Sequence, residues 1–318
     1  MVARTQKQSK YEVVADAGDR ETWLAARRTG LGASEAATVM GTNPFESPYT
    51  LFMKKTGQIP EEDDSPVAQE RMKWGLRLEP LIAEQFHEAT GRKVFKGMGG
   101  LLLRSRDYPW LIATPDYEQR LKPRVVAGLL EIKTTAEHNA EYWATDTPVS
   151  YQCQLQQQLI VSARRYGSIC CLIGGQQFRY KHYVEHKRFQ RALIRKTHEF
   201  WEMIQRGEAP APDASESTYE TLQKLRESGQ ALDLPPLVVE WFEQMQEASA
   251  RRSQAEKDYK EAKRLLASAM GTASYGIFPD RPGVLKFVTV EKPGYTVEPQ
   301  RYRDLRYSKK VPKDAVAA

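Results

Sequence analysis

The chain has 318 residues, 41% hydrophobic and 28% charged, which is the composition of a folded globular protein and not of a disordered or fibrous one. No apolar run reaches the roughly 18 residues that span a bilayer, and the opening MVARTQKQSKYEVV lacks the apolar stretch of a secretory signal, so no membrane association and a cytoplasmic location are expected. Three cysteines, Cys153, Cys170 and Cys171, have no CxxC spacing and are too few for a four-thiolate cluster, while the net charge of +6 favours a polyanionic partner.

Residues 1–12 read as a disordered tail, 13–208 as the main domain and 209–318 as a C-terminal appendage. DRETWLAARRTGLGASEAATVMG predicts a helix, a glycine-rich turn and a second helix, with Ser34 as the N-cap of the second. SPYTLFMKKTG predicts a helix stopped at Gly57, and Glu61, Glu62, Asp63 and Asp64 read as a solvated loop. A helix follows from Arg71 to Thr90, stopped at Gly91. Strands are expected at Lys93–Phe95, Gly100–Arg104, Leu111–Pro115 and Val125–Thr134, with Pro, Gly and Asp turns between them. Tyr151, Leu155 and Leu159 put one apolar face on a helix, a strand pair turns at Gly174-Gly175, and a long helix runs from Lys187 to Arg206. GEAPAPDAS is the clearest linker. Beyond it Trp241, Met245, Ala248, Ala255, Tyr259, Ala262, Leu266 and Ala269 alternate by three and four, with Arg252 as the break. That predicts a long helix with a heptad-like stripe, expected to pack within the chain. A small β element and a basic tail close the sequence, the tail setting Arg301, Arg303, Arg306, Lys309 and Lys310 against Asp304.

The chemistry concentrates in IATPDYEQR and VVAGLLEIKTT. Residues two apart on a strand share a face, so Glu131 and Lys133 stand together while Ile132 faces the other way into core. A hairpin arm would bring Asp116 beside them. Two carboxylates and an ammonium on one sheet edge suit a divalent cation and phosphodiester cleavage: the carboxylates are hard oxygen ligands, and the ammonium keeps them ionised and orients a water. An exposed Glu–Lys strand pair is the plain alternative. Glu79 lies off the Leu78/Ile82 stripe of its helix and is free to point at the sheet edge, whereas Glu84 reads as solvated. Gln154 and Gln158 share a helix face, Tyr151 is a weaker candidate, and Gln152 and Gln157 are expected in solvent. A helix start at Ser34 with Arg27 nearby would make an anion site, or else only a cap and a surface ion pair. There is no HExxH zinc motif, no GxxxxGK[ST] nucleotide loop and no dinucleotide fingerprint.

Four ordered blocks carry a resemblance to a known family: W-x3-R followed by GASEAATVMGTNPF-SPY-LF-KKTG, then WGLRLEP, then TPD…LLEIKTT, then P-x2-Y-x2-Q-x-Q, spanning roughly Trp23 to Lys187. The chain resembles the YqaJ-type viral recombinases, relatives of phage lambda exonuclease in the PD-(D/E)xK nuclease superfamily. The resemblance implies an α+β fold with a restriction-endonuclease-like core: a mixed, mostly antiparallel central sheet flanked by helices, with a helical C-terminal appendage. It implies a bacterial or phage-encoded, metal-dependent and ATP-independent exonuclease that degrades double-stranded DNA ends 5′ to 3′ and leaves 3′ single strand for annealing. Mg²⁺ is the implied cofactor, with Mn²⁺ as substitute. Asp116, Glu131, Glu79 and the Ile132 carbonyl are the implied metal ligands, Lys133 and Gln154 complete the catalytic set, and Arg27 and Ser34 take the 5′-phosphate. A single-strand annealing protein is the implied partner and a trimeric ring the implied assembly. An endonuclease or repair or defence nuclease of the same superfamily, and a noncatalytic DNA-binding module, stay open as alternatives.

Overall fold

In the computed structural model, residues 9–16, 18–60, 65–123, 125–225, 230–280, 282–291 and 316–317 are described. The chain forms two compact units, residues 1–225 and 226–318. Among its described residues the first holds two sheets. One is five-stranded, in the order β3 (Lys93–Phe95), β6 (Tyr117–Arg120), β7 (Gly128–Thr135), β8 (Tyr166–Ile173), β9 (Gln177–Val184). Every pairing in it is antiparallel except β7 with β8. The other is four-stranded, in the order β1 (Tyr11–Asp16), β4 (Leu101–Ser105), β5 (Leu111–Ala113), β2 (Leu31–Gly32), with only β2–β5 parallel. The helices are α1 (Arg20–Arg27), α2 (Ala36–Val39), α3 (Pro48–Lys55), α4 (Pro66–Thr90), α5 (Val149–Ser162), α6 (Lys187–Arg206) and α7 (Glu216–Lys224). This is the expected α+β architecture of mixed, mostly antiparallel sheet flanked by helices.

Strand alternation on β7 sorts the core. Leu129 packs with Leu155, Leu159 and Ile169 on the α5 side, while Leu130 and Ile132 pack with Ile82, Ala83 and Phe86 of α4 on the other. Glu131 and Lys133 therefore share the α5 face with Leu129. Helix α5 is the central helix, with eight of its fourteen residues buried. Its cysteine, Cys153, and the pair Cys170 and Cys171 on β8 are buried free thiols. Burial is the main cause that pushes the Cys153 thiol up and lifts Cys171 to about 12, so these groups stay protonated and serve as core.

Several boundaries differ from the sequence reading. Tyr11 and Glu12 are strand, paired with Ser105 and Arg104, and not part of a disordered tail to residue 12; residues 1–8 lie outside the described ones. The first unit continues past residue 208 to Leu225: Leu222 and Leu225 pack on the cluster of Tyr49, Leu51, Phe52 and Met53, and hydroxyls join α7 to α3, Ser47 Oγ meeting Thr218 Oγ1 at 2.7 Å and Thr50 Oγ1 meeting Thr221 Oγ1 at 2.8 Å. The hydroxyl part of this contact has no apolar signature in the sequence. Strand β6 reads YEQR, too polar for a hydrophobic pattern to find.

In the second unit the helix Leu237–Met270 carries the predicted stripe, and none of its residues is buried. Trp241, Met245, Tyr259 and Leu266 stay exposed, so the packing expected for that stripe leaves no buried seam. A short antiparallel pair, Tyr275–Ile277 with Val284–Lys286, follows it. The basic residues Arg301 to Lys310 and the acidic residues Glu61 to Asp64 lie outside the described residues. No described helix is long and apolar enough to cross a membrane.

Candidate active site

The hairpin of β6 and β7 delivers Asp116. It sits one residue before β6, and its Oδ2 accepts from the Ile132 N–H at 2.7 Å. The turn before β4 passes close to it and leaves no room for a side chain: a Cβ on Gly99 would lie 2.2 Å from the Asp116 carbonyl oxygen. Glu131 is only 1% exposed, and its oxygens are well occupied. Oε1 takes Lys133 Nζ at 2.5 Å and Gln154 Nε2 at 2.6 Å, and Oε2 takes Gln158 Nε2 at 2.6 Å. Three of its roughly four lone-pair sites are therefore used. Lys133 also stands 5.0 Å over the Tyr151 ring, itself stacked on Trp143 at 5.5 Å.

Electrostatics mark this end of the cleft. Burial, and next the charge of Glu131, hold the Asp116 carboxyl well above its ordinary range, with Lys133 pulling the other way. Burial pushes the Lys133 ammonium down, but Glu131 and Asp116 outweigh it and keep Lys133 charged. Glu79 is raised by burial and opposed by Lys96, whose Nζ lies 3.8 Å from Glu79 Oε2 and 3.9 Å over the Tyr117 ring. Glu79, Asp116, Glu131, Lys133 and Gln154 all line one cleft of about 570 Å³. Asp116 and Glu79, held back from ionising first by burial, are groups that a cation would relieve.

Among the described residues no three His, Cys, Asp or Glu side chains gather as a metal cage. The donors present nonetheless fit a hard cation that needs few protein ligands and keeps its waters. Asp116 offers Oδ1, Glu131 one remaining lone pair, and Glu79 a carboxylate in long contact with Lys96. On a strand, one residue's N–H and C=O face the same neighbour, so the Ile132 carbonyl lies on the Asp116 side.

The cleft's other end is cationic. Arg27 and Ser34 line it together with Trp23, Gly32 and Ala33. Ser34 is exposed within a run of buried residues from Leu31 to Val39, because its side chain faces the opening. It is not an N-cap, however. Ala33–Glu35 is a 3₁₀ turn capped by Gly32, running into the four-residue α2, so little helix dipole is available there. Arg27 lies 5.1 Å over the Trp23 ring and 3.4 Å from Glu35 Oε1.

Two glutamines expected in solvent are structural. Gln157 is fully buried and donates to the carbonyls of Leu31 and Ile112, tying α5 to the parallel pair β2–β5. Gln152 donates to the Thr147 carbonyl. Gln154 spends its amide N–H on Glu131, so it orients a carboxylate. Glu35, Lys55, Lys96 and Gly99 join the site without a signal of their own in the sequence. The GASE and KKTG blocks hold the first two, but no rule of spacing links residues 35 and 55.

Comparison with known proteins adds the family. Residues 22–165 match the model of the YqaJ-like viral recombinase domain. The chain is 30% identical over 267 residues to the uncharacterized protein YqaJ of Bacillus subtilis (strain 168), covering 81% of this chain and 80% of that one. The chain belongs to the YqaJ-like viral recombinase family. The YqaJ-like segment opens inside α1 and closes just past α5, so Arg27, Ser34, Glu79, Asp116, Glu131, Lys133 and Gln154 all fall within it. Among solved structures the chain is similar to an alkaline exonuclease, LHK-Exo from Laribacter hongkongensis, in complex with dAMP and as a second structure. Identities are 20% and 19%, TM-scores are 0.47 and 0.46, and each match covers 59% of this chain and 94% of the other.

Proposed function

We propose that this chain is a metal-dependent, ATP-independent exonuclease acting on double-stranded DNA ends, removing the 5′-ended strand and leaving 3′ single strand. The supporting observation is that one cleft joins a carboxylate–lysine end, at Asp116, Glu131, Lys133 and Glu79, to a cationic end at Arg27 and Ser34. Mg²⁺, with Mn²⁺ as substitute, would be held by Asp116, Glu131, Glu79 and the Ile132 carbonyl, and would lower the pKa of the attacking water and offset charge growing on phosphorus.

The chain's own groups do the rest. Gln154 and Gln158 lock the Glu131 rotamer from α5. The Ile132 N–H fixes Asp116 in register with β7. Lys133, charged and braced between Glu131 and the Tyr151 ring, orients the water toward phosphorus. Arg27 and Ser34 hold the terminal 5′-phosphate, which sets the scissile bond at a fixed distance from Lys133. A 5′-hydroxyl end lacks that anchor. A single-strand annealing protein is the partner this product calls for, and a trimeric ring would keep the product strand threaded.

The test is strand-resolved digestion of linear and covalently closed duplex with Mg²⁺ and no ATP. The expected result is loss of the 5′-phosphorylated strand, slower loss from 5′-hydroxyl ends, and an intact closed circle. Cleavage of the circle supports an endonuclease instead. Binding without cutting in either Mg²⁺ or Mn²⁺ supports a noncatalytic module.

A further inference from the structure

We infer that the buried ion pair of Glu35 and Lys55 positions Arg27 and thereby determines how well the cleft tells a 5′-phosphate from a 5′-hydroxyl; this rests on the reading of Arg27 and Ser34 as the phosphate site. Neither residue lines the cleft. Glu35 is 5% exposed, and the Lys55 side chain is fully buried. Charges this deep are costly unless paired, and both are paired in ways that converge on one residue.

Glu35 Oε1 takes Lys55 Nζ at 2.9 Å and Arg27 Nη2 at 3.4 Å. Lys55 Nζ also donates to the Arg27 carbonyl at 3.2 Å. Arg27 is thus held at both ends, its backbone by the lysine and its guanidinium by the glutamate. Glu35 Oε2 accepts from the Gly32 N–H at 2.8 Å, which fixes the turn that presents Ser34. One carboxylate therefore couples both phosphate-site residues.

Of the two cations at Glu35 Oε1, Lys55 is the nearer, at 2.9 Å, so the buried lysine is the closer partner of the glutamate. The Arg27–Glu35 contact is long at 3.4 Å, short of the close fork–fork geometry of a strong arginine–carboxylate pair. An anion can therefore be received without breaking the Glu35–Lys55 pair.

The experiment compares wild type, Arg27→Ala, Lys55→Met and the double variant Glu35→Gln/Lys55→Met. The double variant removes both charges of the pair together, so neither is left buried without the other; its melting temperature is checked against wild type. The readout is the ratio of dissociation constants for 5′-phosphorylated and 5′-hydroxyl blunt duplexes, by fluorescence anisotropy in Ca²⁺. The hydroxyl duplex is the internal reference that a general loss of structure would move equally. Wild type should favour the phosphorylated end, and the double variant should lose roughly tenfold of that preference, the value of a hydrogen bond to a charged group. Lys55→Met should lose as much, since the brace on the Arg27 carbonyl goes with the ammonium. If the double variant keeps the full preference while Arg27→Ala loses it, the positioning role is overturned and the phosphate site stands. If wild type shows no preference, the phosphate site itself is overturned, and this inference goes with it.

Discussion

The two ends of the cleft are built by different means. Asp116, Glu131 and Lys133 stand on or beside paired strands, and their order comes from the β6–β7 hairpin and from amides of α5. Arg27 and Ser34 stand at the end of a short helix and on a turn, and their order comes from a buried ion pair reached from α3. A strand repeats every two residues, so the first arrangement leaves a mark in the sequence. A turn braced from residue 55 leaves none. The same contrast separates the expected failures under mutation: the strand end should lose chemistry, and the turn end should lose choice of substrate.

The most severe break at the strand end is Asp116→Asn. If that carboxylate holds the cation, losing it removes several kcal/mol of transition-state stabilisation, on the order of a 10³-fold fall in rate. Single-turnover digestion of 5′-phosphorylated duplex in Mg²⁺ measures it, with binding in Ca²⁺ retained. Near-wild-type cutting would remove Asp116 from the chemistry.

A milder break comes from the amides behind Glu131. Gln158→Leu strips the partner from Glu131 Oε2. Residues behind a metal ligand typically contribute roughly 10- to 100-fold, so the rate should fall by about that much and half-saturation should need more Mg²⁺. Gln157→Leu is the control. Its amide serves the Leu31 and Ile112 carbonyls, so it should lower the melting temperature and leave the Mg²⁺ requirement alone. A Gln157 variant that shifts the Mg²⁺ titration would show that the two glutamines do not divide the work this way.

At the turn end Arg27→Ala should cost roughly tenfold in preference for a 5′-phosphate, the scale of one charge-assisted hydrogen bond. Competition between phosphorylated and hydroxyl ends reads it directly. An equal loss on both ends would mean Arg27 serves DNA binding at large.

The contrast between strand and turn also governs how much of the molecule is legible in its sequence. The Glu131–Lys133 face and the inward Ile132 follow from strand alternation, and Gln154 with Gln158 follows from helix spacing, whereas the polar arm β6 that carries Asp116 in has no such pattern. Ser34 does reach the cleft, but on a 3₁₀ turn and not as a helix cap, because the two look alike over three residues. Gln157 reads as solvated because a glutamine on a half-polar helix carries no sign that two strand-end carbonyls wait for it. The Ser/Thr interface of α7 is hidden behind the linker for the same reason: hydroxyl pairing has no hydrophobic period.

The smallest expected effect is on stability, and it has the opposite sign to the loss of activity. An unfolded aspartate ionises near 3.8, whereas burial and the Glu131 charge keep folded Asp116 protonated to higher pH. Between those values the folded state binds more protons, so stability falls as pH rises through that window and the penalty remains above it. The amide introduced by Asp116→Asn would keep an acceptor for the Ile132 N–H and carry no charge. Cation-free Asp116→Asn should therefore melt above wild type at neutral pH and lose that advantage as the pH is lowered toward the unfolded value. About 1 kcal/mol is worth about 2–4 °C in a unit of this size, so a rise of a few degrees is expected. Adding Mg²⁺ should stabilise wild type and leave the variant unmoved. Calorimetry in chelator and in Mg²⁺, at both pH values, decides it: a variant that melts lower than wild type without cation would mean that Asp116 braces the hairpin and is not strained by its neighbours.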